Sequence, residues 1–176
     1  PRIGVFICHC GRNIGSVVDV PSVVEYVRRL PHVVFATDNL YTCSSDAQEV
    51  IRAQIQEHGL NRVIVASCSP RTHEPLFQQT IREAGLNPNL FEMANIRDQC
   101  SWVHMHEQEE ATVKSKDLVR MAVAKANLIE PLGTLTLPVT RSAFVVGGGI
   151  AGMSAALAIA DQGFPVTLVE KSDALG

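Results

Sequence analysis

The residues best suited to chemistry in this chain are five cysteines, all within the first hundred of its 176 residues. Cysteine thiolates bind iron–sulfur clusters and zinc and take part in redox reactions. Disulfide frameworks are typical of secreted proteins and use an even number of cysteines, so five cysteines favour reduced thiols. We therefore expect free thiols that serve a metal, redox chemistry or packing. The cysteines are Cys8, Cys10, Cys43, Cys68 and Cys100.

Each of four short apolar segments is followed closely by one or two of these cysteines. The segments are predicted as buried strands and cover residues 3–7, 33–36, 62–67 and 90–94. Helical patterns separate them, with start signals at Asp19, Ser45 and Pro75 and a long apolar stripe over residues 109–129. This alternation predicts an α/β fold with a parallel sheet flanked by helices, in a flavodoxin- or Rossmann-like three-layer arrangement.

The predicted topology gathers the cysteines at one edge of the sheet. In a parallel sheet all strands end at the same edge, where ligands bind, so residues far apart in sequence approach one another there. Four thiolates from four loops suit either a cubane iron–sulfur cluster or a zinc ion. We favour Cys10 over Cys8 as the first ligand, because Cys10 lies beyond the strand and beside the flexible Gly11.

A glycine-rich turn near the end of the chain predicts a dinucleotide site. A strand at residues 143–146 is followed by Gly-Gly-Gly-Ile-Ala-Gly and a helix, then by a strand at 165–169 that ends at Glu170. In this pattern Gly147 permits the turn, Gly149 admits the pyrophosphate, and Gly152 allows close packing of helix on strand. Glu170 would accept hydrogen bonds from ribose hydroxyls. The motif does not separate FAD from NAD.

These patterns predict three regions: a cysteine-bearing α/β domain over residues 1–130, a linker over 131–141, and a first βαβ unit over 142–176. The Rossmann pattern is incomplete, so we expect this chain alone to bind little nucleotide. The linker is expected because Pro131, Gly133 and Pro138 bracket an extended stretch.

Composition limits the class of partner. The chain is 46% hydrophobic and 19% charged, with a formal net charge of -3, which gives no reason to expect nucleic acid. Its apolar runs are shorter than the roughly 20 residues of a membrane span. No secretory leader pattern opens the chain, and we expect a cytoplasmic location.

Five segments of the chain carry a family resemblance, and they cover residues 7–11, 66–75, 91–97, 100–104 and 145–153. In combination they resemble the A subunit of heterodisulfide reductase and its bacterial relatives. The resemblance implies a 4Fe–4S cluster held by Cys10, Cys43, Cys68 and Cys100, with Cys8 as the alternate ligand. It also implies an FAD-binding domain. Its nucleotide contacts would be Gly147, Gly149, Gly152, Glu170 and Lys171.

The function that follows is an electron-transfer module of a flavin-dependent oxidoreductase. No acid–base or nucleophilic catalytic residue is assigned. In the resembled family the flavin splits electron pairs, within complexes that contain other subunits of heterodisulfide reductase, hydrogenase or dehydrogenase type; a homodimer is also compatible. Arg12, Arg71 and Arg97 are each near a cysteine and would offset its charge. The alternative is a zinc-stabilised docking domain of a flavoprotein.

Overall fold

Strands and helices alternate along the chain, as the spacing of its apolar segments predicts. The computed structural model describes residues 1–176 and divides into two units, Pro1–Gly133 and Thr134–Gly176. The first contains β1 (Ile3–Cys8), α1 (Arg12–Gly15), α2 (Val20–Val27), β2 (Val33–Asn39), α3 (Ser45–His58), β3 (Arg62–Ser67), α4 (Pro70–Glu83), β4 (Phe91–Asn95), a π-helical turn (Arg97–Ser101) and α5 (Gln108–Ala126). The functional assignment of the two units stays a prediction.

The four strands of the first unit form one parallel sheet in the order β2-β1-β3-β4. The register aligns their carboxyl ends, with Cys8 beside Asn39 and Ser67 beside Asn95. The loops that carry the cysteines therefore leave the sheet at one edge. The predicted α/β class with a parallel, helix-flanked sheet is confirmed.

Helices cover both faces of this sheet because the strands are apolar on both sides. Val5 and Ile7 of β1 belong to a core that includes α2 and α5. Phe6, which points the other way, belongs to a second core with α3 and α4. All six residues of β1 are buried. Such near-continuous apolar strands are typical of a parallel sheet with helices on both faces.

Helix α4 begins earlier than the sequence signals predict. The sequence favours Pro75 at its first turn, but the helix begins at Pro70, directly after Ser69, and Pro75 lies inside it. Proline at the first helical position is favourable because its missing N–H would be unpaired there in any case. Two prolines compete for this role, and the helix uses the one closer to β3.

The start of α3 differs by one residue from the prediction, and this gives a stability test. Ser44, not Ser45, is the N-cap: its side chain accepts a hydrogen bond from the Ala47 N–H at 3.3 Å. We expect Ser44→Ala to lower the free energy of unfolding by about 1 kcal/mol, because a cap hydrogen bond is lost. Ser45→Ala, one position along, should change it by less than about 0.5 kcal/mol. Urea unfolding followed by circular dichroism compares the pair; equal effects would contradict the cap assignment.

The second unit contains β5 (Ala143–Val146), α6 (Ile150–Ala160) and β6 (Val166–Val169). Its two strands are parallel and in register from Ala143 opposite Val166 to Val146 opposite Val169. No residue of α6 is buried. Throughout the chain, no helix combines the length and apolar composition that crossing a bilayer requires.

Candidate functional site

The sulfur of Cys8 lies at the end of β1, buried among backbone donors. It accepts hydrogen bonds from the backbone N–H groups of Cys10 at 3.2 Å and Thr42 at 3.3 Å. These two donors come from the loops that follow β1 and β2. The sulfur thus joins two adjacent loops at the carboxyl edge of the sheet.

The turn after β1 has an unusual backbone at two successive residues. Cys10 has φ +48° and Gly11 has φ +56°, so both occupy the left-handed region. A side chain at Gly11 would also run into the Tyr41 hydroxyl. Left-handed non-glycine residues cost energy and cluster at functional sites. The bend places Cys10, half-buried, over the same edge as Cys8.

Cys43 and Cys68 lie in the same electrostatic environment as these two thiols. Cys43 is the most exposed of the group, yet partial desolvation raises the pKa of its thiol, and negative charge on Cys8, then on Cys10, raises it further. Burial also raises the pKa of Cys68, where the Arg97 charge acts in the opposite direction and Cys10 and Cys8 again raise it. Cys8 and Cys10 are therefore close enough to Cys43 and to Cys68 to affect the ionisation of both.

Cys100 is directed into the core of the first unit. It is fully buried, and its Sγ donates a hydrogen bond to the Ala111 carbonyl at 3.0 Å. Burial raises its pKa, and the one charge that acts on it is that of Lys114, which lowers it. It packs in the core shared by α2 and α5. The structure thus places Cys10, Cys43 and Cys68 with the alternate Cys8 at the carboxyl edge of the sheet, and Cys100 in the core against which Cys10 packs.

One of the three neighbouring arginines contacts this group. The Arg97 guanidinium lies 3.9 Å from Cys10 Sγ. Burial alone would lower the Arg97 pKa, but contact with Cys10 and the charges of Cys68 and Asp98 leave it raised. Arg12 and Arg71 form no ion pair.

Three polar side chains at this edge were not predicted from the sequence. Asn39 Oδ1 and Thr42 Oγ1 are buried atoms without a hydrogen-bond partner in the protein, and the buried Ser67 Oγ has no partner except the adjacent Cys68 sulfur. Buried polar atoms are normally paired, so an orphan needs an explanation. A sequence signal existed, because Thr42 and Ser67 directly precede Cys43 and Cys68, and Ser67 ends an otherwise apolar strand.

A second cluster of metal-ligating side chains lies at the start of α5. His104, Glu107 and Glu110 place one ligand atom each within 4.8 Å of one another. The ammonium of Lys114 lies 3.3 Å from His104 Nε2, while Nδ1 pairs with Glu107 at 2.7 Å. A cation there would meet both the Lys114 charge and the positive end of the helix dipole. We therefore assign no metal to this cluster.

The glycine-rich turn joins β5 to α6 by close backbone packing. Gly147 has φ +102°, which favours glycine. A Cβ at Gly152 would overlap the Gly147 carbonyl oxygen, whereas a Cβ at Gly149 would meet nothing within 4 Å. Gly152 thus serves packing, while Gly149 leaves open space in front of the helix. The Lys171 side chain is exposed beside this turn.

Glu170 binds amides of its own chain. Its carboxylate accepts hydrogen bonds from Gly148 N at 2.6 Å and from the backbone N–H groups of Lys171 and Ser172 at 2.8 and 3.0 Å. These bonds, above all that from Gly148, lower the pKa of Glu170 from 4.5 to about 2. The carboxylate at the end of β6 is thereby attached to the glycine turn.

This pKa predicts how the turn responds to acid. Because the pKa of Glu170 is lowered in the folded chain, its contribution to stability is present above pH 4.5 and lost as the pH falls towards 2. The Gly148 amide resonance should titrate with a midpoint near 2 in NMR spectra, and Glu170→Gln should remove that titration. A midpoint near 4.5 would show that the contact with Gly148 is absent in solution.

Comparison with known proteins covers both parts of the chain. Residues 145–176 match the NAD(P)-binding Rossmann-like domain family. The second iron–sulfur A subunit of CoB–CoM heterodisulfide reductase from Methanopyrus kandleri is 57% identical over 100% of this chain and 27% of its own length. The A subunit of the H(2):CoB-CoM heterodisulfide,ferredoxin reductase from Methanothermobacter thermautotrophicus is 57% identical over 97% of the chain and 26% of its own length.

A third relative, from Archaeoglobus profundus, is named as a protein like the A subunit of heterodisulfide reductase. It is 52% identical over 100% of this chain and 25% of its own length. The chain thus spans about a quarter of the length of the curated relatives it matches. The first two relatives are named as subunits of reductases, which are oxidoreductases. Over its whole length, the chain is thus similar to the A subunits of heterodisulfide reductases, as a segment equivalent to about a quarter of these proteins.

Proposed function

We propose that this chain is the electron-transfer segment of an FAD- and iron–sulfur-dependent oxidoreductase, of the type formed by the A subunit of heterodisulfide reductase. The observation that carries the proposal is the group of four thiols, Cys8, Cys10, Cys43 and Cys68, at the carboxyl edge of the parallel sheet. A 4Fe–4S cluster held there supplies one-electron transfer. The chain's own residues hold it and offset its charge.

The spacing of the thiols favours a cluster over a zinc ion. A tetrahedral zinc site with Zn–S bonds of about 2.3 Å requires sulfur atoms roughly 3.8 Å apart. No three cysteine sulfurs of this chain lie within 4.8 Å of one another; among all histidine, cysteine and acidic side chains, only the His104 cluster meets that limit. These thiols therefore do not form a preformed zinc site. The zinc-stabilised docking domain therefore has less support.

The polar groups around the thiols also fit a cluster. Backbone N–H groups of Cys10 and Thr42 point at the Cys8 sulfur. The buried hydroxyls of Thr42 and Ser67 are further donors next to the thiols. Donors directed at cluster sulfurs stabilise their negative charge and tune the reduction potential. A cluster would thus give the Thr42 hydroxyl an acceptor that the protein itself does not provide.

We assign Cys10, Cys43 and Cys68 as ligands and favour Cys8 as the fourth. The sequence and the family resemblance favour Cys100 in that place. Cys100, however, uses its thiol as a donor to Ala111 inside the core, and no other cysteine affects its ionisation. Ligation by Cys100 would require that side chain to leave its packing, whereas Cys8 already contacts the Cys10 backbone.

The glycine turn supports the second cofactor. Gly147 makes the turn, Gly149 leaves space for the pyrophosphate of FAD, and Gly152 holds α6 against the strand. Glu170 and Lys171 would contact the nucleotide at the end of β6. When the nucleotide binds, Glu170 would lose some of its hydrogen bonds to the chain and accept hydrogen bonds from ribose hydroxyls instead.

In the whole protein, we propose that electrons pass between the flavin and partner subunits through this segment. The partners would be other subunits of a heterodisulfide reductase complex or of a hydrogenase or dehydrogenase complex, and the flavin would divide electron pairs between two acceptors. A second copy of the chain is a further compatible partner. We place the protein in the cytoplasm, because its thiols must stay reduced to bind iron.

The test is anaerobic purification or reconstitution of this chain with iron and sulfide, followed by metal and sulfide analysis. The proposal expects about four irons and four sulfides per chain, with broad absorption near ~400 nm that dithionite bleaches. A control incubated with zinc alone measures competition for the same thiols. Stoichiometric zinc that iron and sulfide do not displace, or no iron under any anaerobic condition, would overturn the proposal in favour of a structural thiol site.

A further inference from the structure

Arg97 is the one arginine that contacts a thiol, and its position depends on an uncommon local structure. Residues Arg97–Ser101 form a π-helical turn, in which Trp102 N–H donates to the Arg97 carbonyl at 3.0 Å. This is a bond between residues five apart. In an α-helix such residues point in different directions, but the wider turn brings their side chains to one side. Single π-turns are frequent at functional sites.

The turn stacks the Arg97 guanidinium on the Trp102 indole. The guanidinium carbon lies 4.4 Å from the ring centroid, within the range of a cation–π contact. The indole is fixed at its other end, where Nε1 donates to Asn13 Oδ1 at 3.4 Å. Asn13 belongs to the short helix that follows Cys10 and Gly11. Trp102 therefore connects the loop after β4 to the loop after β1, with Arg97 held between the indole and Cys10.

Packing alone does not explain Trp102. The side chain is 46% exposed, so much of its apolar surface stays in water. Its polar and stacking contacts are with Asn13 and the guanidinium, both beside the thiol group. This indole covers one flank of the Arg97 side chain. The Nε of Arg97 also contacts the Asp98 carboxylate at 3.4 Å. A long flexible side chain is thus confined with its charge near Cys10.

We propose that Trp102 is a positioning residue that holds the Arg97 guanidinium against Cys10 and thereby raises the reduction potential of the four-thiol centre. This inference rests on the proposed iron–sulfur function. Reduction adds one electron to the centre, converting one ferric ion to ferrous with no bond broken and no proton transferred. The added negative charge is stabilised by a fixed cation nearby, so the reduced state is favoured.

The test is the midpoint potential of the reconstituted protein, titrated with dithionite and followed by electron paramagnetic resonance. Arg97→Gln should lower the potential by about 59 mV, a tenfold change in a one-electron equilibrium. Trp102→Leu should also lower the potential, by an amount that corresponds to about a threefold change in that equilibrium constant. Trp102→Phe, which keeps an aromatic face, and Arg97→Lys, which keeps the charge, should restore most of the wild-type value. Arg71→Gln is the matched control, because it removes an equal charge that touches no thiol, and it should leave the potential unchanged.

A second readout does not need the cluster. Trp102 is the only tryptophan of the chain, so intrinsic tryptophan fluorescence reports on it alone. Arg97→Gln should shift its emission in the metal-free protein, whereas Arg71→Gln should not. An unchanged potential in Trp102→Leu, or loss of iron in that variant, would overturn the positioning role. A wild-type chain that assembles no iron centre would overturn the proposed function instead, so the two failures are distinguishable.

Discussion

Cys68→Ser is expected to abolish iron binding by this chain, whereas Cys100→Ser is expected to leave it at about four irons. Cys68 follows β3 among the thiols, and its ionisation responds to Cys10 and Cys8. Cys100 is a core residue that donates to the Ala111 carbonyl at 3.0 Å, a bond that a serine hydroxyl can also make. The measurement is iron and sulfide content after identical anaerobic reconstitution, with circular dichroism as the check on folding.

Cys8→Ser decides the fourth ligand. With Cys8 as a ligand, this variant should lose at least half of the iron and the dithionite-bleachable absorption. The opposite pattern, with iron lost in Cys100→Ser and kept in Cys8→Ser, would support the assignment made from the sequence. It would also require Cys100 to leave its core position when the cluster forms.

Gly152→Ala is expected to disrupt the second unit, whereas Gly149→Ala is expected to leave its fold intact. A methyl group at Gly152 would overlap the Gly147 carbonyl oxygen, which is backbone and cannot move aside cheaply. Overpacking of this kind costs about 1–3 kcal/mol. The unit has little to offset that loss, because no residue of α6 is buried. At Gly149 the backbone has φ -73° and an added methyl meets nothing.

Amide hydrogen exchange measures this contrast residue by residue. Protection of β5 and β6 should fall sharply in Gly152→Ala and stay at the wild-type level in Gly149→Ala, with the sheet of the first unit as an internal reference. Equal protection in both variants would contradict the packing role of Gly152. In a full-length relative, Gly149→Ala should still weaken FAD binding, because the methyl would occupy the space in front of the helix.

The sheet is predictable because each strand is marked by an apolar run in its own sequence. The apolar run over residues 62–67 alone predicts a strand, and β3 has those bounds. Parallel order then follows from the helices between the strands. Helix starts are less predictable where two similar residues compete, as at Ser44 and Ser45 or at Pro70 and Pro75. In each case the earlier residue takes the predicted role: Ser44 is the N-cap of α3, and α4 begins at Pro70.

The candidate site is predictable only in part. The rule that strand ends share an edge predicts that Cys10, Cys43 and Cys68 approach one another, and the effect of Cys10 on the ionisation of Cys43 and of Cys68 agrees with it. The rule says nothing about the direction of a side chain. The Cys100 side chain is buried in the core because Cys100 lies in a π-helical turn, which the sequence pattern does not predict. The stack of Arg97 on Trp102 escapes prediction for the same reason, since residues five apart are not neighbours on an ordinary helix.

The most direct test of the account is anomalous diffraction at the iron edge from crystals of the anaerobically purified protein. We expect one compact iron centre at the carboxyl edge of the sheet, bonded to the sulfurs of Cys8, Cys10, Cys43 and Cys68. Iron bonded elsewhere, for example at the His104 cluster, would contradict the assignment of these four thiols as iron ligands. A single zinc ion among the thiols would contradict it as well.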